Sequence, residues 1–104
     1  MAFTDPFPGL QKPLKGGDLV NALRLDLSLE QDAIATYSAH VEASNDAIVK
    51  AALNDIADEE RTHSGELLRL IDYLNEDEQD YILKGYKEIE TKFPKIKYGI
   101  SKKE

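Results

Sequence analysis

Glu60-Arg61-Thr62-His63 sets a carboxylate and an imidazole three residues apart. On a helix, that spacing stacks both side chains on one face, one turn apart. Helical bundles that hold two iron or manganese ions use such a Glu-x-x-His pair from each of two helices and one further Glu from each of two others. This chain has one pair and, in Glu30, one candidate for the further Glu. It therefore carries half a ligand set. Taken singly, each residue has a plainer reading: His63 as a satisfied core histidine, Glu30 as a buried carboxylate with an Arg or Tyr partner. The case for chemistry is that all three stand where an apolar residue is due.

The elements that must position them are helices. From Leu19 to Ala43 there is no Gly or Pro, and Asp18 is placed to cap a first helix. Ser44-Asn45-Asp46 is a turn signal, with Ser44 or Asn45 placed to cap a second helix over 46–74. Asn75 is placed to cap a shorter third helix, which Pro94 stops at about Phe93. Leu23, Leu27, Ile34, Tyr37 and Val41 recur on steps of four and three, and the missing member is Glu30. Val49, Leu53, Ile56, Leu67, Leu70 and Leu74 follow the same steps, and the missing members are Glu60 and His63. Ile82, Tyr86, Ile89 and Phe93 form a weaker series on the third helix. Such series are the seams of packed helices.

A short turn folds the first two helices into an antiparallel hairpin. With Asn45 at its centre, Glu30 lies fifteen residues before it and Glu60 fifteen after. Both then stand about 22 Å from the turn at 1.5 Å per residue. His63 lies one turn beyond Glu60, so the spacing predicts convergence at one level. A carboxylate in an apolar seam is costly unless it is paired, hydrogen-bonded or metal-bound. Two copies related by a two-fold axis would give four carboxylates and two imidazoles for two metals, and a four-helix core. The expected fold is all-α: an antiparallel two-helix hairpin plus a short third helix, dimerising into a four-helix bundle. Oxygen-rich ligands with one imidazole per metal suit iron or manganese and would accept zinc or calcium. Tyr37, two turns beyond Glu30, reads as a hydrogen-bond donor or redox-active neighbour beside the site, or as a core aromatic. Asp32 and Glu59 flank the ligands and read as a metal entry path or as solvated helix faces. His40 lies off the stripe.

Composition narrows the remaining classes. The 104 residues allow one domain, near the small end for a self-sufficient core, which favours oligomerisation. The net charge of −7 argues against a nucleic-acid backbone as partner and favours cations. With no cysteine, disulfides, thiolate metal sites and thiol catalysis are excluded. No apolar run is long enough to span a bilayer, and Met1 to Gly17 lacks the pattern of a signal peptide. The cytoplasm is the expected compartment. Residues 1–17, with Pro6, Pro8, Pro13, Gly9, Gly16 and Gly17, read as a flexible leader. Residues 18–93 form the helical domain, and 94–104 a Lys-rich, loosely held tail.

Leu29-Glu30-Gln31-Asp32-Ala33-Ile34 with Tyr37, followed by Asp58-Glu59-Glu60-Arg61-Thr62-His63, resembles the encapsulated ferritins, ferritin-like proteins housed in encapsulin shells. The resemblance spans residues 19–93, including Leu83-Lys84-Gly85 on the third helix. It implies a ferritin-like hairpin whose dimers assemble into a ring, commonly a decamer. It implies ferroxidase activity at a di-iron site shared between two subunits, with Glu30, Glu60 and His63 as ligands. Tyr37 matches the tyrosine beside that site, and Asp32 one of the acidic residues that guide iron inward. Leu29 and Thr36 depart from an acidic and an aromatic residue found in some relatives. The tail Tyr98-Gly99-Ile100-Ser101-Lys102-Lys103-Glu104 is faintly like a shell-docking peptide. The expected function is oxidation of Fe(II) to Fe(III) by dioxygen, feeding iron storage in an encapsulin nanocompartment in the cytoplasm. The alternative is a non-catalytic metal-binding module whose ion stabilises assembly. A helical interaction hairpin without metal is the third reading.

Overall fold

The computed structural model describes residues 13–96. Most of the expected leader lies within 1–12 and most of the expected tail within 97–104, outside the described residues. Three helices make up the described fold: α1 (Gly16–Ala43), α2 (Ala47–Leu74) and α3 (Glu78–Lys92). The fold is all-α.

The helix starts differ from expectation by one to three residues, for local reasons. Lys15, extended, stands at the N-cap of α1 without a side-chain capping bond. Gly16 follows at φ +60°. Only glycine adopts that left-handed turn without steric cost, so it redirects the chain into the helix. Asp18 is therefore not the cap. It sits in the first turn, where its charge meets the positive end of the helix dipole.

The turn between α1 and α2 is bound by side chains. Ser44 Oγ accepts from the Asp46 amide at 3.1 Å. Asp46, rather than Ser44 or Asn45, caps α2: its Oδ1 accepts from the amides of Ile48 and Val49 at 2.9 and 3.0 Å. One carboxylate oxygen thus satisfies two of the donors that a helix start leaves open.

The hairpin α1–α2 is one compact unit and the segment from Asn75 onward is another. In the second unit Asn75 does not cap the backbone of α3. Its carbonyl accepts from the Glu78 amide at 2.9 Å, and its side chain donates to Glu78 Oε1 at 3.0 Å. Asp77 holds the N-cap position, and α3 ends at Lys92, ahead of Phe93 and Pro94.

The core of the hairpin is small. Val20 of α1 and Ala57, Ser64 and Ile71 of α2 are buried. On α1, Leu23, Leu27, Glu30, Ile34, Tyr37 and Val41 are all half-buried, as the series predicts. On α2 the packed stripe is displaced. Leu53, Glu60 and Leu67 are half-buried beside Ala57, Ser64 and Ile71. Val49, Ile56, Leu70 and Leu74 are exposed. The expected α2 seam is therefore only partly the seam of this hairpin. Its Val49-Ile56-His63-Leu70 edge faces outward, while small residues on the neighbouring edge let the two helices approach.

Candidate metal centre

Glu30 comes from the middle of α1, and Glu60 and His63 from successive turns of α2. They meet as the spacing predicts. His63 Nδ1 lies 3.7 Å from Glu30 Oε2 and 3.7 Å from Glu60 Oε2. One ligand atom from each residue falls within 4.8 Å of the other two, the only such group among the described residues.

The 3.7 Å gaps are too long for hydrogen bonds. They are short enough for one cation to touch both atoms at bonds of about 2.1 Å. Glu30 Oε2 is buried and has no hydrogen-bond partner. A buried carboxylate oxygen with nothing to accept from is an unmet demand for positive charge. The donor set of two carboxylates and an imidazole thus fits a divalent first-row metal.

The cluster is not sealed. The side chains of Glu30 and Glu60 are 23% and 20% exposed, and that of His63 is 46% exposed. An open depression of about 740 Å³ lies beside them, with Glu30 and His63 on its wall. Asp26 and Glu66 stand on the same wall, one turn along α1 and α2 respectively. Asp32 and Glu59 are exposed and outside the cluster. The Asp32 carbonyl accepts from Thr36 Oγ1 at 2.9 Å. Tyr37 is half-buried on the Glu30 stripe, two turns nearer the hairpin turn, and His40 is exposed.

Sequence reasoning overlooked Gln31 and Ser64. Gln31 Nε2 donates to Ser64 Oγ across the helix pair at 2.9 Å. Ser64 Oγ donates to the carbonyl of Glu60 at 3.1 Å. The signal was present: Ala57, Ser64 and Ile71 recur every seven residues. It was weak because two of the three are small. Glu66 and Asp26 gave no periodic signal.

No protein-family model matches the chain. An encapsulin nanocompartment cargo protein of Myxococcus xanthus is 36% identical over 72 residues, covering 68% of this chain and 55% of that protein. A ferritin-like–encapsulin shell fusion protein of Pyrococcus furiosus is 33% identical over 78 residues, covering 75% of this chain and 23% of that protein. The chain thus spans about half the length of one curated relative and a quarter of the other. Among solved structures, the encapsulated ferritin domain from Pyrococcus furiosus superposes with a TM-score of 0.79 at 29% identity. That match covers 88% of this chain and 94% of that one. No described helix is long and apolar enough to cross a membrane.

Proposed function

Because the chain belongs to the encapsulated-ferritin family, we propose that it is a ferroxidase: two copies pair to hold two Fe(II) ions, which dioxygen oxidises to Fe(III). The observation that carries this reading is the convergence of Glu30, Glu60 and His63 around a buried, unpartnered Glu30 oxygen.

Iron is the substrate here, each Fe(II) giving one electron to dioxygen. What the chain contributes is charge and placement. Two carboxylates per copy match one divalent ion per copy. Pairing two copies gathers four carboxylates and two imidazoles, the full set of a two-metal bundle site. Glu30 and Glu60 would reach the ions from the two helices of the hairpin, and His63 would add a nitrogen from the edge that pairing covers. Manganese, zinc or calcium are the substitutes such a site would take.

The exposed edge of α2 supports pairing. Val49, Ile56 and Leu70 are exposed at seven-residue steps with His63 between them. A stripe of that period is the contact line of a second helix pair, and it runs through a ligand. Such dimers would assemble further into a ring such as a decamer, with an encapsulin shell as partner and the cytoplasm as compartment. The tail 98–104, a candidate for docking that shell, lies outside the described residues.

A second reading keeps the ligands and drops the reaction: the ion locks the pair together. The same observation favours it, since His63 lies on the edge that pairing would cover.

The test follows near-ultraviolet absorbance after Fe(II) is added to the aerobic full chain. The rise should be fast for the unaltered chain and lost in Glu60→Ala and His63→Ala. Variants that oxidise iron at the original rate would show that the site lies elsewhere. Metal-dependent mass without any oxidation would favour the assembly reading.

A further inference from the structure

Gln31 follows Glu30, and Ser64 follows His63. Their side chains meet across the hairpin at 2.9 Å, at the level of the metal cluster. We infer that Gln31 and Ser64 are positioning residues that hold α1 and α2 in the axial register at which Glu30 meets Glu60 and His63. The inference rests on reading that cluster as a metal site.

The chemistry of the bond favours a fixed geometry. Ser64 is buried, and its hydroxyl has one proton. That proton goes to the Glu60 carbonyl four residues back. Ser64 can then only accept, so the Gln31 amide must present its NH₂ group. The chain Gln31 Nε2 to Ser64 Oγ to Glu60 carbonyl links the opposite helix to the backbone of a ligand residue.

The scale of the constraint is the second argument. A slip of one residue moves a helix by about 1.5 Å along its axis. A metal site tolerates about 0.5 Å. Ala57 and Ser64, buried on α2, are small and interlock less deeply than large side chains. A directional bond at that level supplies register that small side chains do not. A serine in mid-helix is otherwise a poor choice, because its hydroxyl competes for backbone bonds.

The test uses the purified full chain, with Co(II) as the probe. Its visible absorption reports ligand geometry, and titration reports affinity. Ser64→Ala and Gln31→Leu should each weaken Co(II) binding by about tenfold, as losses beside metal ligands do. Each should also shift the absorption band. The double variant should be no worse than either single one, because all three lose the same bond. Ile71→Val supplies the control: it opens the core away from the site and lowers the melting temperature. It should leave affinity and band unchanged. Gln31 is exposed, so Gln31→Leu should fold even if Ser64→Ala does not.

If Ser64→Ala and Gln31→Leu bind Co(II) as the unaltered chain does, while Glu60→Ala does not, the positioning role is refuted and the metal site stands. Should Ile71→Val lose as much affinity as they do, the pair is mere packing and the inference falls. If Glu60→Ala binds Co(II) normally, the metal reading fails and takes this inference with it.

Discussion

Glu30 brings a desolvation cost into the hairpin. Its Oε2 is buried and accepts no hydrogen bond. On the metal-site reading, Glu30 would trade stability for function. Glu30→Gln supplies its own donors and removes the charge. It should raise the thermal stability of the metal-free chain by about 1 kcal/mol while abolishing iron oxidation. Calorimetry on chelator-treated protein checks the first half. A Glu30→Gln chain that melts lower than the original would mean that the carboxylate has a partner it needs. This residue was legible in the sequence for the same reason that it is costly: it interrupts a series of large apolar side chains. The bond between Gln31 and Ser64 was not legible: the seven-residue recurrence with Ala57 and Ile71 could place Ser64 on the packed face, but no one-dimensional period encodes a partner on the other helix.

At the scale of elements, the three helices follow from the punctuation of the chain, and their ends show where punctuation is ambiguous. Ser44, Asn45 and Asp46 are all good capping residues in a row. Geometry chooses Asp46, since only it stands one residue ahead of Ala47 with a carboxylate reaching two amides. Asp46→Ala should therefore destabilise the hairpin by about 1 kcal/mol, read as a lower midpoint in urea. Ser44→Ala, which loses one bond to the Asp46 amide, should cost less. The phase of α2 was the larger difference. A count of large apolar residues selects Leu53 and Leu67, which pack, together with Val49, Ile56 and Leu70, which do not, and it passes over Ala57, Ser64 and Ile71, on which the hairpin packs most closely. Small residues bury little area and score weakly, but they decide how closely two helices approach. The misphased residues have their own meaning as an uncovered edge. Val49→Glu probes it without harming the helix, because a glutamate at the third helical position is favourable there. It lies about 21 Å along α2 from His63. The variant should keep its helical circular dichroism, sediment as a single chain, and oxidise iron slowly. A Val49→Glu chain that stays paired would move the pairing face elsewhere.

For the whole molecule, the decisive feature is that one hairpin gathers two carboxylates and one imidazole in a single cluster. That is half of what a two-metal bundle uses. Catalysis would then depend on encounter as well as on folding, and specific activity per chain should fall when the protein is diluted below its pairing constant. Sedimentation and oxygen uptake, measured over the same dilution series, should decline together. Activity that persists in the single-chain fraction would show one hairpin to be sufficient. A site divided between two copies would also have a genetic consequence. If sound and defective copies were made in the same cell and paired at random, every mixed pair would lack part of the set. Equal amounts of the two would leave about one pair in four intact, so a single altered allele would behave as a dominant one.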